Sequence, residues 1–319
     1  MPSYLNAYQT FAFSSGKGIS PTYPMGSSFG TLKRGTANGT YLISGTLADG
    51  QKFTTSGFFS SEGKLLIYQY LYAALGGGVL TGELYAGADV VIDPPTSQAD
   101  VSEIEPNVRG PLYWVKRPSP RRVVQPTTWK RFAPRSAATA ASADTLYPDG
   151  FAIYSFVEGG AYVPPAAGEV LNVAGSPGAG SPPSINTDIR FDSGFFQFAA
   201  VPLRGISFIQ GLNIASSSPT ARTNTVTLRD PKRNSVRITQ FDVSTGLFKG
   251  TFVLTPPLRM ATFEGILVKS IYYRGGYQGY GYFLIRDLEG NNVVLEDAPL
   301  RLSNQRISGR VYIGPTDDN

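Results

Sequence analysis

Apolar and polar residues alternate with a period of two along most of the chain, and clusters of Gly, Pro, Asp and Ser interrupt the alternation at short intervals. A strand sends successive side chains to opposite faces, so this pattern predicts half-buried strands joined by turns. Residues 40–47 and 52–56 flank Asp49-Gly50, a pair suited to the two positive-φ positions of a type I′ turn, and predict a hairpin. Residues 63–72 and 76–85 predict a second hairpin across a Gly-rich turn, and 111–116 a further strand. Towards the C-terminus, residues 223–228, 235–243, 247–254, 260–269, 279–286 and 306–313 read the same way. Helical periodicity is confined to residues 136–144.

The expected fold is therefore all-β: two related antiparallel β-sandwich or partly closed barrel domains of about six strands each. Residues 1–28 read as an extended N-terminal arm, 29–118 as the first β domain, 119–185 as a basic and Pro/Gly-rich connection, and 186–319 as the second β domain. The alternation assigns Leu42, Leu66, Leu80, Trp114, Phe248, Phe252, Phe263, Ile266 and Phe283 to the core.

Composition sharpens this picture. With 36 Gly, 24 Pro, 18 Tyr, 19 Phe and only 16% charged residues, the chain has the makeup of many short strands and punctuated turns. It has no His and no Cys, so no Ser-His-Asp or Cys-His pair and no imidazole or thiolate metal ligand can be assembled. The expectation is a protein that is not an enzyme and carries no cofactor and no tightly bound transition metal. Two acid pairs remain, Asp188 and Asp192 beside Arg190, and Glu296 next to Asp297; with no flanking pattern that sets a glycosidase spacing, they read as turn residues and surface charge. A calcium site from Asp89, Asp93 and Asp100 is conceivable, although their spacing fits no EF-hand or nonapeptide loop.

Charge is unevenly placed although the net value is only +5. Residues 86–108 hold Asp89, Asp93, Asp100, Glu103 and Glu105 with no Lys or Arg, whereas 109–143 hold eight Lys and Arg with no acid. Within the basic run, Arg121, Arg122, Trp129, Lys130, Arg131 and Arg135 are candidates for contact with a polyanion or a neighbouring subunit. The acidic residues are candidates for the opposite side of such a contact, and the small net charge argues against a general nucleic-acid binder. In the arm, Tyr4, Tyr8, Phe11 and Phe13 offer apolar contacts while Gly16, Gly18, Pro21 and Pro24 oppose a compact unit. Two readings stay open: a free arm that pairs with another subunit's sheet edge, or a first strand folded back on its own domain. The aromatic run Tyr272, Tyr273, Tyr277, Tyr280 and Tyr282 suits strand packing, with a sugar-stacking platform as the alternative.

Several ordered motifs carry a resemblance. Leu42-Ile43-Ser44-Gly45-Thr46-Leu47-Ala48-Asp49-Gly50-Gln51-Lys52 is followed by Leu71-Tyr72, Gly76-Gly77-Gly78 and Leu112-Tyr113-Trp114-Val115-Lys116. Then come Tyr147-Pro148-Asp149-Gly150-Phe151, Ala161-Tyr162-Val163-Pro164-Pro165, Ser244-Thr245-Gly246-Leu247-Phe248-Lys249-Gly250-Thr251-Phe252, Phe263-Glu264-Gly265-Ile266-Leu267 and Gly279-Tyr280-Gly281-Tyr282-Phe283-Leu284. In patches over residues 29–297 the chain resembles a β module found near the C-termini of very large surface proteins of planctomycete and verrucomicrobial bacteria. The segments 89–108, 119–144 and 1–28 have no counterpart in that pattern. The resemblance implies an extracellular or cell-surface location and a structural role rather than an activity.

These readings lead to an extracellular or cell-surface structural or interaction module acting by self-assembly, as a filament or surface layer, or by display. A glycan- or polyanion-binding module is the alternative, and a virion structural subunit a second one. The expected partners are copies of itself or other surface proteins, with glycan possible and nucleic acid not expected. No signal peptide is visible, and no apolar stretch is long enough for a membrane-spanning helix.

Overall fold

The computed structural model describes residues 8–15, 22–35, 39–73, 76–89, 105–118, 147, 149–173, 187–198, 201–218, 220, 222–228, 236–254, 259–269, 276–286 and 306–315. The first sheet contains β1 (Gln9–Ser14), β2 (Ser27–Arg34), β3 (Thr40–Thr46), β4 (Lys52–Phe58), β5 (Lys64–Leu71), β6 (Gly78–Asp89), β7 (Glu105–Lys116) and β8 (Phe151–Ala161). The second contains β9 (Thr187–Phe198), β10 (Val201–Ser216), β11 (Asn224–Leu228), β12 (Arg237–Asp242), β13 (Leu247–Leu254), β14 (Arg259–Lys269), β15 (Tyr277–Arg286) and β16 (Arg306–Pro315). There is no α-helix among the described residues, and so none long and apolar enough to cross a membrane. The expected short helix at 136–144 lies outside them.

Both sheets run up and down and return on themselves. In the first, order β4-β3-β2-β1-β8-β7-β6-β5, the first strand pairs with the second and also with the eighth. In the second, order β11-β10-β9-β16-β15-β14-β13-β12, β9 pairs with both β10 and β16. The chain thus forms two antiparallel eight-stranded barrels in tandem, each open along one seam: β4/β5 in the first and β11/β12 in the second. Closure of this kind removes most sheet edges. At the first seam, Tyr41 from inside the barrel donates its hydroxyl to the Leu66 carbonyl, satisfying a group that a missing strand would otherwise have paired.

Two domains of one architecture are as the alternation predicts, with eight strands in each rather than about six. The boundaries differ. β1 is the closing strand of the first barrel, so residues 9–14 belong to that domain and are not a free arm. β8 lies inside the segment read as a connection, because its partners β7 and β1 belong to the first barrel. The Asp49-Gly50 turn also differs in type. Gly50 has φ +86° while Asp49 stays at negative φ, and Gly50 N donates to Leu47 O at 2.7 Å. This is a type I turn closed by a left-handed glycine bulge, which needs one positive φ rather than two.

Neither barrel encloses an open lumen where its side chains are described. Phe11, Ile43, Leu65, Ile67, Leu80, Leu84 and Leu112 fill the first, and Phe191, Phe252, Phe263 and Phe283 cluster in the second with ring centroids 4.7–6.4 Å apart. Eight strands leave an interior just wide enough for such filling. Phe11 fits because Gly30 sits opposite its ring: a Cβ there would lie 2.6 Å from the ring tip. Leu80, Trp114, Phe248, Phe252, Phe263 and Phe283 are buried as expected. Leu42 and Leu66 are not; they are 41% and 69% exposed, since Leu65 and Ile67 hold the inward phase of β5 and Ile43 that of β3. Ile266 is buried, but on the outside of its own barrel.

That outside face joins the two bodies. Ile266 and Val268 of β14 and Tyr282 of β15 enter the core cluster of the first barrel, where Phe29 stacks on Tyr282 at 6.2 Å. β1 contributes its second face, with Thr10 Oγ1 donating to Leu267 O at 2.8 Å. Tyr162, just after β8, reciprocates by joining the core of the second barrel and donating its hydroxyl to Val243 O at 2.7 Å.

Candidate functional site

The residues singled out from sequence scatter rather than converge. Tyr4, Arg121, Arg122, Trp129, Lys130, Arg131, Arg135, Asp93, Asp100, Glu103, Glu296, Asp297, Tyr272 and Tyr273 lie outside the described residues. Phe11 and Phe13 are core, and Tyr8 packs edge-on against Tyr162 at 6.1 Å while donating to Thr245 O at 3.1 Å. Asp89 and Glu105 are register partners at the end of the β6/β7 pair. Tyr277 and Tyr282 are buried, and Tyr280 packs edge-on against Tyr312, so these three serve packing. Asp192 is held by Arg310 through two hydrogen bonds of 2.9 and 2.8 Å, which is a structural ion pair. Among the described residues no three acidic side chains gather as a metal site would need.

A surface that the sequence reading did not single out lies on the outside of β5–β8. Tyr68 pairs in register with Thr81, Thr81 with Tyr113, and Tyr113 with Tyr154, so one lateral row crosses four strands. Leu66, Tyr68, Tyr70, Tyr113, Tyr154 and Phe156 are 51–72% exposed, and the Tyr113 and Tyr154 rings meet at 4.9 Å. Polar groups rim the face: Lys64 bridges Glu62 at 3.2 Å and Glu83 at 3.5 Å. The signal was present in Leu65-Leu66-Ile67-Tyr68-Gln69-Tyr70-Leu71, where both phases of one strand are apolar.

At one end of the first barrel a polar network is buried. Trp114 Nε1 donates to Tyr72 Oη at 2.9 Å, and Tyr72 Oη donates to Asp49 Oδ2 at 2.5 Å. Gln51 N donates to Asp49 Oδ1 at 3.0 Å, and the ammonium of buried Lys116 stands 5.2 Å from the Tyr72 ring centre. Burial pushes the Asp49 carboxyl above its ordinary value, against the opposing pull of the Tyr72 and backbone hydrogen bonds and the Lys116 charge. Tyr72 has φ +55°, an uncommon conformation for an aromatic residue, held by this set of contacts. With its donors and acceptors paired to one another, the network fixes the Asp49 turn against the second barrel, where Gly50 approaches Leu284 and Tyr282.

Between the barrels lies a cleft of about 430 Å³ lined by Tyr8, Lys33, Arg34, Tyr162, Pro164, Ser244 and Thr245. Lys33 places its ammonium 5.1 Å from the centre of the Tyr8 ring. The 242–246 turn forms the opposite wall, where Asp242 accepts from Ser244 N at 2.9 Å, Ser244 Oγ at 2.6 Å and Thr245 Oγ1 at 2.7 Å. Burial would raise that carboxyl, but these hydrogen bonds outweigh it and hold it below the usual range. Burial, with Asp242 nearby, pushes the Tyr8 phenol up to about 12, so it remains a neutral donor.

No protein-family model matches the chain, and no curated protein matches it. Among solved structures it aligns with a protein of unknown function from the DUF3598 family of Nostoc punctiforme PCC 73102, over 98% of each chain, at 8% identity and a TM-score of 0.18.

Proposed function

We propose that this chain is a non-catalytic interaction module, acting at the cell surface or outside the cell, that binds a carbohydrate polymer across the outer face of β5–β8. The observation that carries this is the in-register row Tyr68, Thr81, Tyr113, Tyr154, with Tyr70 and Phe156 beside it. Four strands at a spacing of about 4.8 Å spread these side chains over roughly 14 Å, enough to engage more than one sugar ring. A pyranose presents a flat face of C–H groups that stacks on an aromatic ring and an edge of hydroxyls that needs hydrogen-bond partners. Tyr hydroxyls, Thr81, Glu83 and Lys64 supply such partners, whereas a purely aliphatic face would not. The packed interiors favour recognition on the outside of the barrels, and a contiguous exposed apolar face rimmed by polar groups is the usual mark of a binding surface. The cell-surface setting rests on the motif resemblance described above.

Affinity electrophoresis through gels containing soluble polysaccharides tests this reading. Retardation by at least one polymer, lost in Tyr113→Ala and Tyr154→Ala, supports it; unchanged migration in every polymer overturns it. Self-assembly is the second reading, and the seam favours it, because β5 meets the bare face with one edge outside any strand ladder. Light scattering across concentration separates the two, since assembly raises the mass of the chain without added polysaccharide.

A further inference from the structure

We propose that the cleft between the barrels is a second binding site, for a hydroxylated ring that carries an anionic group: a sugar acid or a sugar phosphate. Three features converge on that chemistry. First, Lys33 and Arg34 place two positive charges at the cleft, and no carboxylate among the described residues forms an ion pair with Lys33. Its ammonium instead rests over the Tyr8 ring, which holds it in place and leaves its charge available to a ligand.

Second, the nearest acid is already engaged. Asp242 accepts hydrogen bonds from Ser244 and Thr245 within its own turn, so its charge is offset by local donors. Because both hydroxyl hydrogens point at Asp242, the Ser244 and Thr245 oxygens offer lone pairs to the cleft. They are therefore acceptors for ligand hydroxyls. Third, Tyr8, Tyr162 and Pro164 supply an apolar wall whose phenolic hydrogens are committed to Thr245 O and Val243 O, so the rings are fixed before a ligand arrives. Cations, acceptors and a rigid aromatic wall in a cleft of about 430 Å³ match one ring with an anionic substituent, and junctions between domains are common places for such sites.

The test is calorimetric titration of the full chain with glucuronate, glucose 6-phosphate and glucose at low ionic strength. Saturable binding of an anion, with glucose weaker by roughly tenfold or more, is expected from a charge-assisted contact. Binding of one anion and not the other supports the site and identifies the anionic group. Lys33→Gln, an exposed change that should keep the wild-type melting curve, is expected to weaken the anion by roughly tenfold and leave glucose unaltered. Tyr113→Ala should not affect either ligand, which keeps this site distinct from the polymer face. Equal affinity for glucose and the anions, an unaltered Lys33→Gln titration, or no saturable anion binding would overturn the proposal.

Discussion

Two strand faces of this molecule are equally apolar and meet different fates. The outer face of β14–β15 carries Ile266, Val268 and Tyr282, all buried because the first barrel packs on them. The outer face of β5–β8 carries Leu66, Tyr68, Tyr70, Tyr113, Tyr154 and Phe156, all more than half exposed. In each case the strands are apolar in both phases, one phase filling the barrel and the other facing away. A two-faced strand thus announces a contact beyond its own barrel without saying with what. For β14 and β15 the partner is the sister barrel; no described residue covers the face of β5–β8.

The sharpest way to break this comparison is to truncate the same kind of residue on each face. Ile266→Ala should cost about 2–5 kcal/mol in urea unfolding, since it opens a cavity at a fully buried junction. Leu66→Ala should change stability by less than about 0.5 kcal/mol, because its side chain is already in water. Equal costs would mean that the exposed face is covered in solution, which light scattering would then reveal as association. Next in size is Tyr72→Phe, which leaves Trp114 Nε1 without its acceptor and Asp49 without its side-chain donor. A loss of about 1–3 kcal/mol is expected for such orphaned buried groups, with little change in the shape of the fold. On the exposed face, Tyr113→Ala should instead reduce polysaccharide affinity between about twofold and about tenfold, with an unaltered unfolding midpoint.

How much of this was legible in the sequence follows from what alternation encodes. A period of two names the strands and their turns, and eleven of the sixteen strands fall within or across the residue ranges it marks. It is blind to which phase faces inward when both are apolar, so it assigns Leu66 to the core where the structure buries Leu65 and Ile67. It is equally blind to ring closure: nothing local in Gln9-Thr10-Phe11-Ala12-Phe13-Ser14 shows that this strand bridges β2 and β8, a pairing separated by well over a hundred residues. β8 was hidden for the same reason, between motifs read as a connection. The cleft is harder still, because Lys33, Tyr162 and Ser244 come from three distant parts of the chain and only the docking of the barrels brings them together.

The smallest expected effect sets two carboxylates against each other, one at each end of the comparison between buried and exposed. Asp49 is raised above its unfolded value by burial, so the folded state binds its proton more tightly than the unfolded state. Its contribution to stability is fully present below the ordinary carboxyl range and is lost as pH rises through the raised folded value. Asp242 is lowered by its turn hydrogen bonds, so its contribution is present above the ordinary range and is lost as pH falls through the lowered value. Because Asp242 is only partly buried whereas Asp49 is fully enclosed, its share is more strongly screened and should be the smaller of the two. Urea midpoints measured from pH 3 to pH 8 should therefore separate the variants. Relative to wild type, Asp49→Asn should compare best at neutral pH and worst in acid, where it forgoes the stabilising proton. Asp242→Asn should show the opposite trend, closing on wild type as the pH falls. Curves for both variants that run parallel to wild type across the range would show that neither carboxyl titrates differently in the folded and unfolded chain.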